Sequence, residues 1–465
     1  IFARCQFFSI ISLSLSLSLS LSVCISNSTK HPPTFAPPSD PMAQLLHEKR
    51  NPRSKLAEGI SGSIMSRLAS SPVLPLDDED LLQEILIRLS PQPSSLPRAS
   101  LVCPCWRSIL SNHKFLCRFR KHHRKPPLLG FFARCLITKT TVFTSVLDSP
   151  DRIPAGHFLV PHSHNPSKRL RFMGCRHGLA VLFEMSLNSP MPTGLIVWDP
   201  LTGQQHNHLT MPPGLNGDKW KCWNSTVLCT NVEDGHVHGD CFSNPFKFVL
   251  IFNRDTDASA CVYESTSGVW GDIVSVVTKK VISPLRPSIL IGNVLYWLLV
   301  GGEVLVHDFE RQSLGMIEKP ADTHNGHAEF SYHLLRTEDN GLGLAIVSNF
   351  TIKLWERKSN RDGVVGWEFL KKVAPLDGLF PEPMLSGHMW ILLVGYDEDT
   401  NVIVLSTMTS TFMLQLDSMQ IRDISVRTNL RHPVIYPYRN FYTAGEEKGT
   451  QARTTTTTHM VNCGI

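Results

Sequence analysis

The chain has 465 residues, 42% hydrophobic and 18% charged, with a formal net charge of +5. This is globular composition with room for two or three domains or a repeat array, and the charge is too small to make nucleic acid an expected partner. Beyond the N-terminal leader no segment approaches the roughly 18 consecutive apolar residues of a membrane-spanning helix, so no membrane partner is expected either.

The N-terminus comes first. Residues 11–22 read ISLSLSLSLSLS behind a single early Arg4. An apolar stretch after one basic residue can be a signal-peptide core, but no clear small-residue cleavage site follows. Alternating Leu-Ser is also what a CTCTCT nucleotide repeat encodes. The expectation is therefore that residues 1–41 are a translated leader, that Met42 or Met65 is the true start, and that residues 1–70 are disordered or a mis-annotated leader.

The first patterned element runs from Asp77 to Leu89. Leu81, Leu82, Ile85, Leu86 and Leu89 form one stripe of a 3.6-residue helix, preceded by Asp77, Asp78, Glu79 and Asp80. Carboxylates at a helix start accept from free N–H groups and suit the positive end of the macrodipole. Ser90-Pro91-Gln92-Pro93 should stop this helix. Ser94 or Ser95 can cap a second, with Leu96, Ala99, Val102, Cys103, Trp106 and Ile109 on its apolar side, and a further turn can hold Phe115, Leu116 and Phe119. So little helix buries too small a core to stand alone. Its apolar face belongs either to the rest of the chain or to another protein.

In order and spacing, Leu74-Pro75, DLLQEIL at 80–86, Arg88-Leu89, LPRASLVC at 96–103, Trp106-Arg107 and Phe115 resemble the F-box motif over residues 73–120. The resemblance implies a small three-helix module that binds the Skp adaptor of a Skp–cullin–F-box ubiquitin ligase. It implies that Leu74, Pro75, Leu81, Leu82, Ile85, Leu86, Leu89, Val102 and Trp106 lie at or just behind that interface. Pro104 departs from the motif. Inside a helix it would remove a hydrogen bond and kink the last turn, whereas in a first turn it would start a new helix.

From Leu128 the pattern changes to short apolar runs between turn residues, as in GLAVLF at 178–183, FKFVLIF at 246–252 and NVIVLS at 401–406. This is the signature of an all-β sandwich, barrel or propeller. An apolar strand ending on an acidic residue recurs at Asp148, Asp199, Glu264, Asp308, Glu356 and Asp417. A period near 50 residues with four strands per unit is the size of a propeller blade. The expectation is a six-bladed propeller-like target-binding domain over 128–440, giving an α+β multidomain chain with a disordered tail over 444–465. WDPLTG at 198–203, CRHGL at 175–179 and YESTSGVW at 263–270 also resemble the propeller associated with plant F-box proteins.

Catalytic chemistry is not in view. There is no GxxxxGK[ST] loop, HExxH or GxSxG, and no catalytic residue or cofactor is assigned. Cys175 and His177 could suggest a nucleophile and base, but a structural role is favoured by strand geometry. The basic runs 118–125 and 168–171 read as solvated segments. The 12 cysteines contain no CxxC pair and read as ordinary reduced thiols. No metal is assigned, a zinc site at 222–241 with His236 or His238 being the alternative. The Gly-rich stretch 214–245, with Trp220, Trp223, His236 and His238, is the candidate target-binding loop.

Together these features imply a non-catalytic substrate-recognition adaptor of the cytoplasm or nucleus, partnered by a Skp adaptor, a cullin through it, and a target protein. The alternatives are a secreted propeller hydrolase or lectin-like protein, or a propeller scaffold with a vestigial F-box.

Overall fold

Helix α1 (Glu79–Leu86) begins where the acidic run predicts. Asp78 is its N-cap, the carboxylate accepting from the N–H groups of Asp80 at 2.9 Å and Leu81 at 3.1 Å. The second helix expected from Ser94 onward is instead two: α2 (Ser95–Ser100) and α3 (Pro104–Leu110). Pro104 occupies the first turn of α3, where a missing N–H costs nothing, and the Cys103 sulfur accepts from the Trp106 N–H at 3.4 Å. Helix α4 (His113–His123) follows, capped by Asn112. Among the described residues the helical module thus has four short helices.

This is a computed structural model. It describes residues 78–442 apart from 136–138, 189–190, 207–208, 214, 216–219, 232–235, 240, 322, 324–330, 349–350, 374–390, 408–409 and 425–433, and omits side chains at 220–222 and 371–373. The expected leader, Leu74, Pro75 and the expected tail from 444 lie outside the described residues.

The helices share one small core, in which Leu82, Leu86, Leu96, Ile109, Phe115 and Phe119 are buried. Phe441, from the far end of the β region, completes it, and Val237 packs on it from a propeller loop. The module therefore borrows core from the propeller, as its size requires. Arg118 of the basic run is used within the module, donating to Gln83 Oε1 at 2.9 Å and pairing with Glu84.

The β region is a six-bladed propeller. The first blade joins the two ends of the domain: β24 (Val434–Arg439) pairs with β1 (Leu128–Arg134), which pairs with β2 (Thr141–Ser145). The second holds β3 (Lys168–Arg176), β4 (Leu179–Ser186), β5 (Pro192–Trp198) and β6 (Leu209–Thr210). The third holds β7 (Trp220–Cys229), β8 (Phe246–Arg254), β9 (Asp257–Glu264) and β10 (Val269–Trp270), with β11 (Val274–Val277) also on β9. The fourth is β12 (Ile289–Ile291), β13 (Val294–Leu298), β14 (Val304–Asp308) and β15 (Ser313–Ile317). The fifth is β16 (Tyr332–Arg336), β17 (Leu342–Ser348), β18 (Thr351–Ser359) and β19 (Val365–Val373). The sixth is β20 (Leu392–Asp397), β21 (Val402–Ser406), β22 (Thr411–Gln415) and β23 (Ile421–Asp423).

Counting β24 as the first strand of its blade, all six acidic positions of the repeat fall at or near the end of a third strand. At two of them the cause is visible. Asp199 accepts from the Leu201 N–H at 2.9 Å and the Thr202 hydroxyl at 2.7 Å, folding WDPLTG into the turn toward β6. Asp308 accepts from the N–H groups of Glu310 and Arg311 at 2.9 and 3.1 Å. A short acidic side chain closes its own turn by capturing backbone donors two or three residues on.

The closing β24 is buried along its length, with Val434, Ile435, Tyr436 and Tyr438 inaccessible to solvent or nearly so. Tyr438 packs against Phe132, Phe143 and Phe158. Pairing β24 with β1 joins the two ends of the domain in one blade and closes the ring.

Candidate functional site

Two surfaces merit a functional reading. The first is on the helices. Positions 81 and 82 are adjacent, yet Leu82 is 1% exposed and Leu81 is 50% exposed. Leu86 is fully buried while Ile85 is 47% exposed. Leu82 and Leu86 thus belong to the module's own core, behind any interface, and Leu81 and Ile85 lie in front. Val102 is 62% exposed, and Leu101, which the sequence reading did not single out, is 75% exposed. Leu89 and Trp106 are half-buried against the core. Leu101 and Val102 sit in the bend that Pro104 forces between α2 and α3, and that bend is what turns them outward.

The second surface is the mouth of the propeller channel. Strands β3, β16, β20 and β24 bring their C-terminal ends to one face, where they present Arg176, Arg336, Asp397 and Arg439 around a cavity of about 310 Å³. Arg124, Lys125 and Pro126, leaving α4, line the same cavity, so the helical module sits on this face. Three of its arginines are paired with carboxylates. Glu398 pairs with Arg176 and with Arg336, the latter at 3.4 Å. Asp397 accepts from Arg439 Nε at 2.7 Å and from its terminal nitrogen. Arg439 also donates to the Pro126 carbonyl at 2.8 Å, tying the helix exit to the closing strand.

Cys175 and His177 do not form a nucleophile and base. Cys175 donates to the Pro437 carbonyl at 3.0 Å, and burial pushes its thiol far up. His177 sits in the two-residue β3–β4 turn with Gly178, both at positive φ. Burial, followed by the neighbouring His238 and Arg176, holds its pKa well below the usual histidine range.

The expected target-binding loop over 214–245 is corrected. Trp220 and Trp223 lie in strand β7, and Trp223 is 6% exposed, packed between blades against the Phe183 ring at 4.8 Å and under the Arg171 guanidinium at 4.6 Å. It is a core residue. His236 and His238 do lie in a loop, the β7–β8 connection, where both are half-buried at the edge of the mouth cavity and face two cysteines. Cys229 Sγ is 3.4 Å from His236 Nε2, and Cys241 Sγ is 3.6 Å from both His236 Nε2 and His238 Nδ1. The sequence spacing left a zinc site at 222–241 only as the alternative, and the fold gathers four soft donors there.

A family model for the F-box domain matches residues 74–118, and one described as F-box protein AT5G49610-like, beta-propeller matches residues 171–439. No curated protein matches the chain. Among solved structures, the chain is similar at 14% identity and a TM-score of 0.31 to the extracellular domain of a one-component system from Bacteroides thetaiotaomicron, over 57% of this chain and 28% of that one. It is similar at 9% identity and a TM-score of 0.35 to a protein of unknown function from Desulfotomaculum acetoxidans, over 64% and 82% of the two chains. A quinoprotein alcohol dehydrogenase-like protein from B. thetaiotaomicron gives 9% identity and a TM-score of 0.34, over 67% and 77%. The chain spans only 28% of the first of these structures, and none of the three bears on function.

Proposed function

The chain belongs to the AT5G49610-like family of F-box β-propeller proteins, and from that premise we propose that it is a non-catalytic substrate-recognition adaptor of a Skp–cullin–F-box ubiquitin ligase. The helices would bind a Skp-type adaptor and, through it, a cullin. The propeller would hold a target protein so that its lysines meet a charged ubiquitin carrier. The contribution of the chain is proximity, which raises effective concentration without any reacting group of its own. It would act in the cytoplasm or nucleus.

The observation that carries this reading is the exposure of four apolar side chains of the helical module, Leu81, Ile85, Leu101 and Val102, beside a core that buries Leu82, Leu86, Leu96, Phe115 and Phe119. A small module has little reason to expose so much apolar surface unless a partner covers it. The test is co-expression of the full chain with a Skp-type adaptor, followed by gel filtration, beside a Leu101→Asp, Val102→Asp double variant. The wild type is expected to co-elute with the adaptor and the variant to elute alone with an unchanged circular dichroism spectrum. A folded wild type that elutes alone would overturn the reading and leave the helices as a private cap on the propeller.

A further inference from the structure

Cys229, His236, His238 and Cys241 each place a ligand atom within 4.8 Å of all the others, the one such group among the described residues. Both cysteines are buried and both histidines partly so. Hydrogen bonding explains the arrangement poorly. His236 Nε2 faces two sulfurs, at 3.4 and 3.6 Å, yet a ring nitrogen carries either one proton or one lone pair. Cys241 Sγ in turn faces two ring nitrogens. Four donors converging on a single point are instead what one cation requires. With metal–sulfur and metal–nitrogen bonds of about 2.3 and 2.0–2.1 Å, a tetrahedral ion separates its sulfur and nitrogen ligands by roughly 3.5 Å. The sulfur–nitrogen separations of 3.4, 3.6 and 3.6 Å match that edge.

The surroundings hold the ligands in place. The Cys229 N–H donates to His177 Nδ1 at 3.1 Å, and the His177 ring stacks on His238 with centroids 3.5 Å apart and planes 1° apart. Groups that orient metal ligands from behind are as much part of such sites as the ligands. Gly239, next to His238, has φ +125, and a Cβ there would come within 3.1 Å of the Phe441 ring, so the loop can lie this close only with glycine.

We propose that these four side chains bind a tetrahedral divalent ion, zinc by the softness of two thiolates and two imidazoles, and that the ion fastens the β7–β8 loop beneath the helical module. All four positions are filled by protein, which marks a structural site rather than a catalytic one. Val237, between the two histidine ligands, packs on the core that holds Leu82, Phe115 and Phe119, beside Phe441. A loop with so little core of its own is held by the metal, and the metal thereby fixes the seat of the helices on the propeller. Neither the site nor the seat rests on the identity of any adaptor or target.

The test uses the full chain as purified. Elemental analysis is expected to give one zinc per chain that survives dialysis. Replacement by cobalt(II) should give the strong visible bands of a tetrahedral ion together with thiolate charge transfer. Two additional thiols should become reactive to a disulfide reagent once a strong chelator is added. A Cys229→Ser, Cys241→Ser variant should carry no zinc, whereas Cys261→Ser, in β9, should carry the wild-type amount. Should the double variant fail to fold, the cobalt spectrum and thiol count of the wild type decide. Hydrogen exchange in His113–His123 is expected to rise on chelation. Metal-free wild type whose thiols titrate without chelator, or zinc retained by the folded double variant, would overturn the site. Unchanged exchange in α4 after zinc removal would overturn the seat.

Discussion

Leu81 and Leu82 are neighbours in sequence and opposites in environment, and substituting each should produce a different failure. Leu82→Ala removes a side chain that is 1% exposed, in a core shared by only a few large residues. Such truncations cost the lost transfer energy plus the cavity, about 3–5 kcal/mol, and this core has little around it that could collapse inward. Leu81→Asp acts on a side chain already 50% exposed, in the first turn of α1, where a carboxylate suits the helix dipole. Its folding cost should stay within about 0.5 kcal/mol. In an adaptor complex, however, it would forfeit roughly half a buried leucine, about 0.8–1.5 kcal/mol, and bury a carboxylate at a further cost of about 1–3 kcal/mol. The sum, about 1.8–4.5 kcal/mol, corresponds to a Kd weaker by roughly 20- to 2,000-fold. Denaturant unfolding of the full chain, followed by calorimetric titration with a Skp-type adaptor, separates the two. Leu82→Ala should shift the unfolding midpoint and, where still folded, bind. Leu81→Asp should unfold like the wild type and bind weakly. Equal stability losses in both variants, or full-affinity binding by Leu81→Asp, would refute the division into core and face.

Three further outcomes follow from the propeller. Deleting residues 434–442 removes five nearly inaccessible apolar side chains, Val434, Ile435, Tyr436, Tyr438 and Phe441, worth roughly 7–15 kcal/mol in gross burial; since that rivals the whole stability of a domain, the truncated chain should show no cooperative unfolding transition by calorimetry. Asp397→Ala leaves the Arg439 guanidinium, 12% exposed, without its main carboxylate, and a cost of about 3–5 kcal/mol is expected in denaturant unfolding, less in the Asp397→Ala, Arg439→Met double variant. His333 is buried in β16, and burial, followed by Arg286, pushes its pKa down to about 3. Its folded pKa lies below its unfolded one, so the stability it contributes is complete above about pH 6.5 and lost as pH falls toward 3, at up to about 1.4 kcal/mol per pH unit. His333→Gln should flatten that part of a stability–pH profile, and an unchanged slope would show that the ring takes up its proton in the folded state.

How much of this was legible in the sequence depended on whether the cause was local. Asp78 and the apolar stripe after it specify α1 without outside help, and the acidic repeat reads correctly because Asp199 and Asp308 cap turns within three residues of themselves. Which edge of the stripe faces inward was not legible, because Leu81 and Leu82 both satisfy the helical period and only the packing of Phe115, Phe119 and Phe441 separates them. Trp223 was misplaced for a related reason. Its companions on the buried face of β7 are Val227 and Cys229, but Asn224, Ser225 and Thr226 lie between them and disguise the alternation. The polar run has work of its own, since the Asn224 amide donates to the carbonyl of Ser283 at 2.9 Å. The four soft donors were legible only as an alternative, a zinc site at 222–241 with His236 or His238, and for the most remote cause. Cys229 and Cys241 flank a long loop and share no motif spacing, and they meet because β7 and β8 pair in register, Cys229 opposite Phe246.

The arrangement of the mouth also constrains where a target could bind. The channel opening at the ends of β3, β16, β20 and β24 is the opening that Arg124, Lys125 and Pro126 line, and Arg439 bonds directly to Pro126. A protein entering there would have to displace the helix exit and leave the Arg439–Asp397 pair partly unsatisfied. Arg176, Arg336 and Arg439 are each paired with a carboxylate, which lowers the charge they offer an acidic ligand. On the adaptor reading, the target therefore belongs on the opposite face or the outer rim, and the propeller acts as a spacer between the two partners. A spacer is useful only if its joint is stiff, because a loosely hung module spreads the target's lysines over a larger volume and lowers their effective concentration at the ubiquitin carrier. The joint here is made by Phe441, Val237 and the Arg439–Pro126 bond, and all three act at the face where the Cys229–His236–His238–Cys241 cluster lies.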